Sequence, residues 1–148
     1  MIRQALLALW ELPQNVLGML LLGLEYLAGT VKAVELDRGR LFIQSKMSAV
    51  SLGFFVFWAS GSNRYSILDE HTRAHEFGHS FQSRWLGPLY LPLVGIPSVS
   101  RVLYGIAYRE ITGQRWEGYF DGYPENWADR LGGVERKARA AANRKEPA

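Results

Sequence analysis

Apolar positions fall into three kinds of run along this chain. Ala5–Trp10 and Val16–Leu24 are Leu-rich and are separated by Glu11-Leu12-Pro13-Gln14-Asn15. Proline lacks the amide that a helix interior needs, so the pattern predicts two helical pieces meeting near Pro13. Asn15 is a candidate cap for the second piece. Val31–Leu36 and Arg40–Gln44 are β-rich and flank Asp37-Arg38-Gly39, which predicts a hairpin. Val50–Trp58, dense in Phe and Val, predicts the strongest strand, closed by Ser60-Gly61-Ser62-Asn63.

The pattern then changes period. Leu68–Trp85 reads as a helix with polar residues on much of its surface, and Ser66 or Asp69 could cap it. Gly87-Pro88 stops it. Pro88–Ser98 is apolar but holds three prolines, Pro88, Pro92 and Pro97, so it cannot be a regular helix. Its apolarity marks it as buried, as a cleft wall, or as a surface that meets lipid. Val99–Glu110 can form a helix ending near Thr112-Gly113. Pro124 suits a first helical position and Gly132-Gly133 a helix stop, so a short helix is predicted between them. Helices and a small sheet in this order define an α+β domain.

Within the polar helix lies His75-Glu76-Phe77-Gly78-His79, an HExxH motif. Residues i and i+4 stack on one helix face, so His75 and His79 can aim imidazole nitrogens at one metal. Glu76 projects beside that point, where a carboxylate can act as general base. With three His and ten Glu in the chain, the motif is expected by chance roughly 0.004 times. Chance is a poor explanation. His71 precedes His75 by one turn and is read as a helix-surface residue near the N-terminus.

On the short downstream helix Glu125 and Asp129 are also i and i+4. One carboxylate can ligate a metal while the other accepts a hydrogen bond from a ligating His. Gly78 and Ala128 are small and would let the two helices approach closely. Rival third ligands are Glu110, Glu117, Asp121 or a group outside the protein. Glu110 ends a polar stretch, and Asp121-Gly122 reads as a turn.

HExxH followed by Glu125-x-x-x-Asp129 resembles the gluzincins, the thermolysin-like clan of zinc metallopeptidases. The predicted elements, a Leu-rich N-terminal helix, a small β-sheet, the HExxH helix and a C-terminal Glu-bearing helix, are similar to a minimal zincin-like domain. The resemblance implies Zn2+ held by His75, His79 and Glu125, with Glu76 as general base and Asp129 orienting the first His. It covers the two helices alone. The segments His75–Gln82, Leu86–Tyr90, Gly95–Ser98 and Glu125–Val134 also resemble a small bacterial family with similar segments in Rhs-type polymorphic toxins. The expected activity is peptide-bond hydrolysis on a peptide or protein substrate. The alternatives are a metal-binding interaction module without turnover and a toxin-type effector peptidase. Tyr123 and Tyr119, which precede the Glu125 helix, are candidates to donate a hydrogen bond to a developing oxyanion. Tyr123 is the assigned catalytic partner of Glu76. An extended substrate is expected along a sheet edge supplied by Ala49–Trp58 or by its hairpin neighbour.

Charge and composition narrow the picture. Net charge is +3, from 17 Lys/Arg and 14 Asp/Glu. Residues 134–148 hold five Lys/Arg and two Glu, which leaves 12 basic and 12 acidic residues in 1–133. The body is neutral, so no nucleic-acid partner is expected. The division is a single domain over 1–133 and a basic, flexible tail over 134–148. The absence of cysteine leaves His and carboxylates as metal ligands. The uncharged run Leu12–Leu24 spans 13 residues, short of the roughly 20 needed to cross a bilayer. Glu11 and Pro13 interrupt any signal-peptide core. A cytoplasmic or membrane-associated protein is expected, with residues 5–28 available for peripheral membrane contact.

Overall fold

The structure is a computed structural model, and it describes residues 2–59 and 71–136. Its first two helices are α1 (Ile2–Trp10) and α2 (Leu12–Leu27). They meet at a bend of 86°, as Pro13 near the start of α2 predicts. Glu11 stands at the elbow, and its carboxylate takes both ends of the Arg40 guanidinium at 2.8 and 3.0 Å. Arg40 also donates to the carbonyls of Gly53 and Ser80, each at 2.8 Å, and Ser83 Oγ donates to Glu11 at 2.7 Å. Both charges are 2% exposed. Such extra hydrogen bonds offset the cost of burying an ion pair, and of the guanidinium nitrogens Nε alone has no partner. Asn15 does not cap α2. Its side chain instead accepts from Phe54 N and donates to Ala8 O, joining the elbow to the sheet.

Strands β1 (Val31–Asp37), β2 (Arg40–Ser45), β3 (Val50–Leu52) and β4 (Phe55–Ala59) form one mixed sheet in the order β1-β2-β4-β3. The β1–β2 pair is the expected antiparallel hairpin. β2 and β4 run parallel in the sheet centre, and β3 pairs antiparallel on the far edge. The apolar run 50–58 is thus two strands, because a turn at Gly53-Phe54 folds it back on itself. Leu41 and Ile43 of β2 face the same side as Phe55 and Phe57 of β4, and Leu21 and Leu22 of α2 pack there. On the opposite side Phe42 meets Phe77 of the next helix. The two central strands are covered on both faces, which explains the apolar runs Leu41–Ile43 in β2 and Phe55–Ala59 in β4.

That next helix is α3 (Thr72–Leu86), followed by a 3-10 turn (Gly87–Leu89), a π turn (Leu91–Gly95) and α4 (Ile96–Thr112). The prolines are absorbed in the irregular turns and in the first turn of α4. A 3-10 turn over Glu117–Phe120 then leads to α5 (Glu125–Gly132). His71 occupies the N-cap position of α3 without a side-chain cap bond. Ser60–Asn63 and the proposed caps Ser66 and Asp69 lie outside the described residues, as does the tail from 137 onward. Among the described residues, five α-helices and a four-stranded mixed sheet make this an α+β protein.

Candidate metal centre

α3 and α5 approach each other more closely than side chains would ordinarily allow. A Cβ on Gly78 would stand 1.9 Å from the Ala128 carbonyl oxygen, and one on Gly132 would stand 2.1 Å from that of Ala74. The two backbones touch through reciprocal glycines. Gly78 and Ala128 were legible as small contact residues, but Gly132 serves the contact as well as the helix stop.

This contact brings together the i, i+4 pairs of both helices. His75 Nε2 lies 2.9 Å and His79 Nε2 3.2 Å from Glu125 Oε2. All three side chains are buried, and one ligand atom from each lies within 4.8 Å of the others. They could hold a metal ion. Glu110, Glu117 and Asp121 are exposed and form no such group among the described residues. Glu125 Oε1 is buried and has no hydrogen-bond partner. An orphaned buried carboxylate oxygen beside two imidazoles is what a cation would satisfy.

The outer nitrogens of both imidazoles are engaged. His75 Nδ1 lies 2.6 Å from Asp129 Oδ1 and His79 Nδ1 2.7 Å from Gln82 Oε1. Each acceptor requires the ring to carry its proton on Nδ1, which leaves Nε2 free to ligate. The acceptors are themselves held. Gln82 Nε2 donates to the Pro124 carbonyl at 3.2 Å. Arg136 reaches back to Asp129 Oδ2 at 2.6 Å and to Oδ1 at 3.2 Å, and its guanidinium lies over the Phe120 ring. Gln82 had no role in the sequence reading, although it lies one turn beyond His79. Arg136 was assigned to the tail. Its guanidinium nevertheless reaches the site, as a second partner of the buried Asp129 carboxylate.

Burial disfavours a charged His75, yet hydrogen bonds to Asp129 and Glu125 outweigh it and raise its pKa to about 9. Burial pushes Glu125 and Asp129 up, but their imidazole partners hold both carboxyls below the usual range. Burial raises Glu76 against the opposing pull of the two imidazoles. For His75 the consequence has a definite sign. Its folded-state pKa exceeds the ordinary 6.5, so the metal-free protein holds this stabilisation fully below about pH 6.5 and loses it as pH rises through about 9. Thermal melts of metal-free protein are expected to show a falling Tm between pH 6.5 and 9.5. With metal bound, Nε2 is occupied without a proton, and the fall should vanish. A metal-free Tm that climbs across this window would contradict the proton-bridged site.

A cavity of about 230 Å³ opens on this group, with His75, Glu76, Tyr119, Phe120 and Arg136 in its wall. Tyr119 is buried. Burial first, then the charges of Glu125 and Glu76, raise its hydroxyl pKa. Tyr123 is placed elsewhere. It is half-exposed, donates to the Leu93 carbonyl at 2.6 Å and stacks against Trp127. Its hydroxyl is committed to a backbone oxygen, so the tyrosine in the cavity wall is Tyr119.

No protein-family model, curated protein or solved structure matches the chain. Fold and site together define an α+β protein with a buried two-histidine, one-glutamate group that could hold a metal ion.

Proposed function

We propose that the protein is a zinc-dependent peptidase of the gluzincin-like kind. One observation carries the reading: Glu76 lines the same cavity as His75, beside a buried His75, His79 and Glu125 group. Three protein ligands of nitrogen and carboxylate type, with one position left open, are the pattern of catalytic rather than structural zinc sites. Tetrahedral bonds of about 2.0–2.1 Å space ligand atoms roughly 3.3 Å apart, close to the 2.9 and 3.2 Å between the imidazoles and Glu125. Bound zinc supplies Lewis acidity, making a water acidic near neutral pH and polarising a scissile carbonyl.

The chain's own residues divide the remaining work. Asp129 and Gln82 fix the imidazole tautomers. Glu76, made more basic by burial, takes the proton of the attacking water on its carboxylate and passes it to the leaving amine nitrogen. Tyr119, whose raised pKa keeps its hydroxyl protonated, is the donor for the developing oxyanion. The substrate's place follows from the sheet. β3 is an edge strand, and Met47 and Ala49 just before it line the cavity. An extended peptide can add to that edge and present a carbonyl to the site.

The test compares wild type with Glu76→Gln. Elemental analysis is expected to find about one zinc per chain in both. Hydrolysis of an unstructured protein substrate should fall about 10²–10⁴-fold in the variant. Equal hydrolysis by both would remove Glu76 from the mechanism. Zinc in both without hydrolysis in either would leave a metal-binding module.

A further inference from the structure

Two helical stretches place polar groups inward and apolar groups outward. Along α2, Gln14 and Glu25 are buried and Asn15 bonds to Ala8 and Phe54. Gln14 donates to the Gly87 carbonyl, and Gly18 sits against Phe55, so the helix is locked into the fold. Its outward face is apolar, with Leu20 and Leu24 60% and 66% exposed, and Glu25 is its one charged residue. Leu91–Thr112 is a continuous 22-residue helical stretch, long and apolar enough to cross a membrane. No residue of α4 is buried, which excludes the ordinary explanation of an apolar core helix. Ile96 and Leu103 are 64% and 60% exposed. Arg101, in mid-helix, turns inward to the carbonyls of Tyr119 and Gly118. The other two charges, Arg109 and Glu110, lie in the last turn.

Several backbone carbonyls on or beside these stretches take their hydrogen bonds from the protein's own side chains. Pro88 and Pro97 have no N–H, so Arg84 O and Leu93 O lose their usual i+4 donor. At an aqueous surface water would fill that role. Here the Trp10 indole donates to Arg84 O at 3.0 Å and the Tyr123 hydroxyl to Leu93 O at 2.6 Å. Ser100 and Thr112 turn their hydroxyls onto the carbonyls of Ile96 and Tyr108, each at 2.8 Å. Internal satisfaction of backbone polar groups is the requirement of a hydrocarbon environment, and the carboxylate of Glu25, whose oxygens have no hydrogen-bond partner, is kept buried on the inward side of α2. A protein partner would ordinarily meet a polar rim. The outward face of α2 has no charged residue along about 24 Å, and Leu91–Thr112 runs about 33 Å, against roughly 30 Å of bilayer hydrocarbon.

We propose that the outward faces of α2 and of Leu91–Thr112 lie in the acyl layer of a lipid bilayer. This goes beyond the peptidase reading and does not depend on it. The chain has no cysteine, so single-cysteine variants carry one label each. Leu20→Cys, Leu103→Cys and, as a control on β1, Leu36→Cys would be labelled with an environment-sensitive fluorophore on the full chain. Each is an exposed position, and unchanged circular dichroism would verify folding. In phosphatidylcholine–phosphatidylglycerol vesicles, acyl-chain nitroxide lipids are expected to quench labels at 20 and 103 several-fold more than the label at 36. Aqueous iodide should show the opposite order. Equal iodide access at all three positions would overturn the proposal. So would shielding of 20 and 103 that appears without vesicles and grows with protein concentration, which would assign these faces to a second copy of the chain.

Discussion

Glu125→Ala is expected to abolish stable metal binding while leaving the protein folded. The carboxylate is fully buried and is the one group that meets both imidazole Nε2 atoms. Losing an outer partner of a metal-binding His costs about 10–100-fold in affinity. A direct ligand should cost more than about 100-fold, so the variant should emerge from chelator competition without metal. Asp129→Asn sets the scale, because it keeps all three ligands, weakens the bonds of Asp129 to His75 Nδ1 and to Arg136, and should retain metal within that 10–100-fold range. If Glu125→Ala holds metal as tightly as wild type, the third ligand is another group and α5 is a structural prop. The variant also removes one of the two hydrogen bonds that raise the His75 pKa, so the alkaline fall in metal-free Tm should shrink.

Gly78→Ala carries the second large effect, and here two contributions oppose each other. In an exposed helix interior the change would gain about 1 kcal/mol of helix propensity. At this position the new methyl would lie 1.9 Å from the Ala128 oxygen and 2.7 Å from its carbonyl carbon. Both are backbone atoms, so no rotamer change can relieve the clash and the helices must separate. Overpacking of this kind costs about 1–3 kcal/mol or more. A net loss of about 2 kcal/mol corresponds to roughly 4–8 °C in Tm for a chain of this size. Metal affinity should fall in the same variant, because the ligands sit on opposite sides of the displaced contact. A higher Tm with unchanged affinity would show that the helices do not depend on this approach.

Local patterns carried much of this architecture. Asp37-Arg38-Gly39 announces the first hairpin because a tight turn needs residues that tolerate positive φ, and Arg38 and Gly39 adopt it at 48° and 72°. The i, i+4 spacings of His75/His79 and Glu125/Asp129, with Gly78 and Ala128 between the helices, were sufficient to place four side chains in one cluster. Long-range partners were less legible. Phe54 reads as one more apolar strand residue, yet Gly53 at a φ of 62° turns the chain there. Asn15 has the composition of a cap but serves the sheet. Tyr123 and Tyr119 both precede the Glu125 helix, and only the fold shows that Tyr119, within the 3-10 turn, is the one in the cavity wall. The inward rotation of Arg101 and Glu25 is similarly invisible in composition, which is why the apolar exposure of α2 and α4 emerges only in three dimensions.

Arg136 gives the segment that follows α5 a mechanical meaning. Three residues past the last helical residue's cap, it grips the carboxylate that steadies His75. Tension, cleavage or fusion applied to the following basic segment would therefore be transmitted through one guanidinium to the first imidazole of the site. Arg136 and the first imidazole are separated by two hydrogen-bonded contacts. Trimming the protein at Gly133 would change the basicity of a ligand rather than remove a loose end.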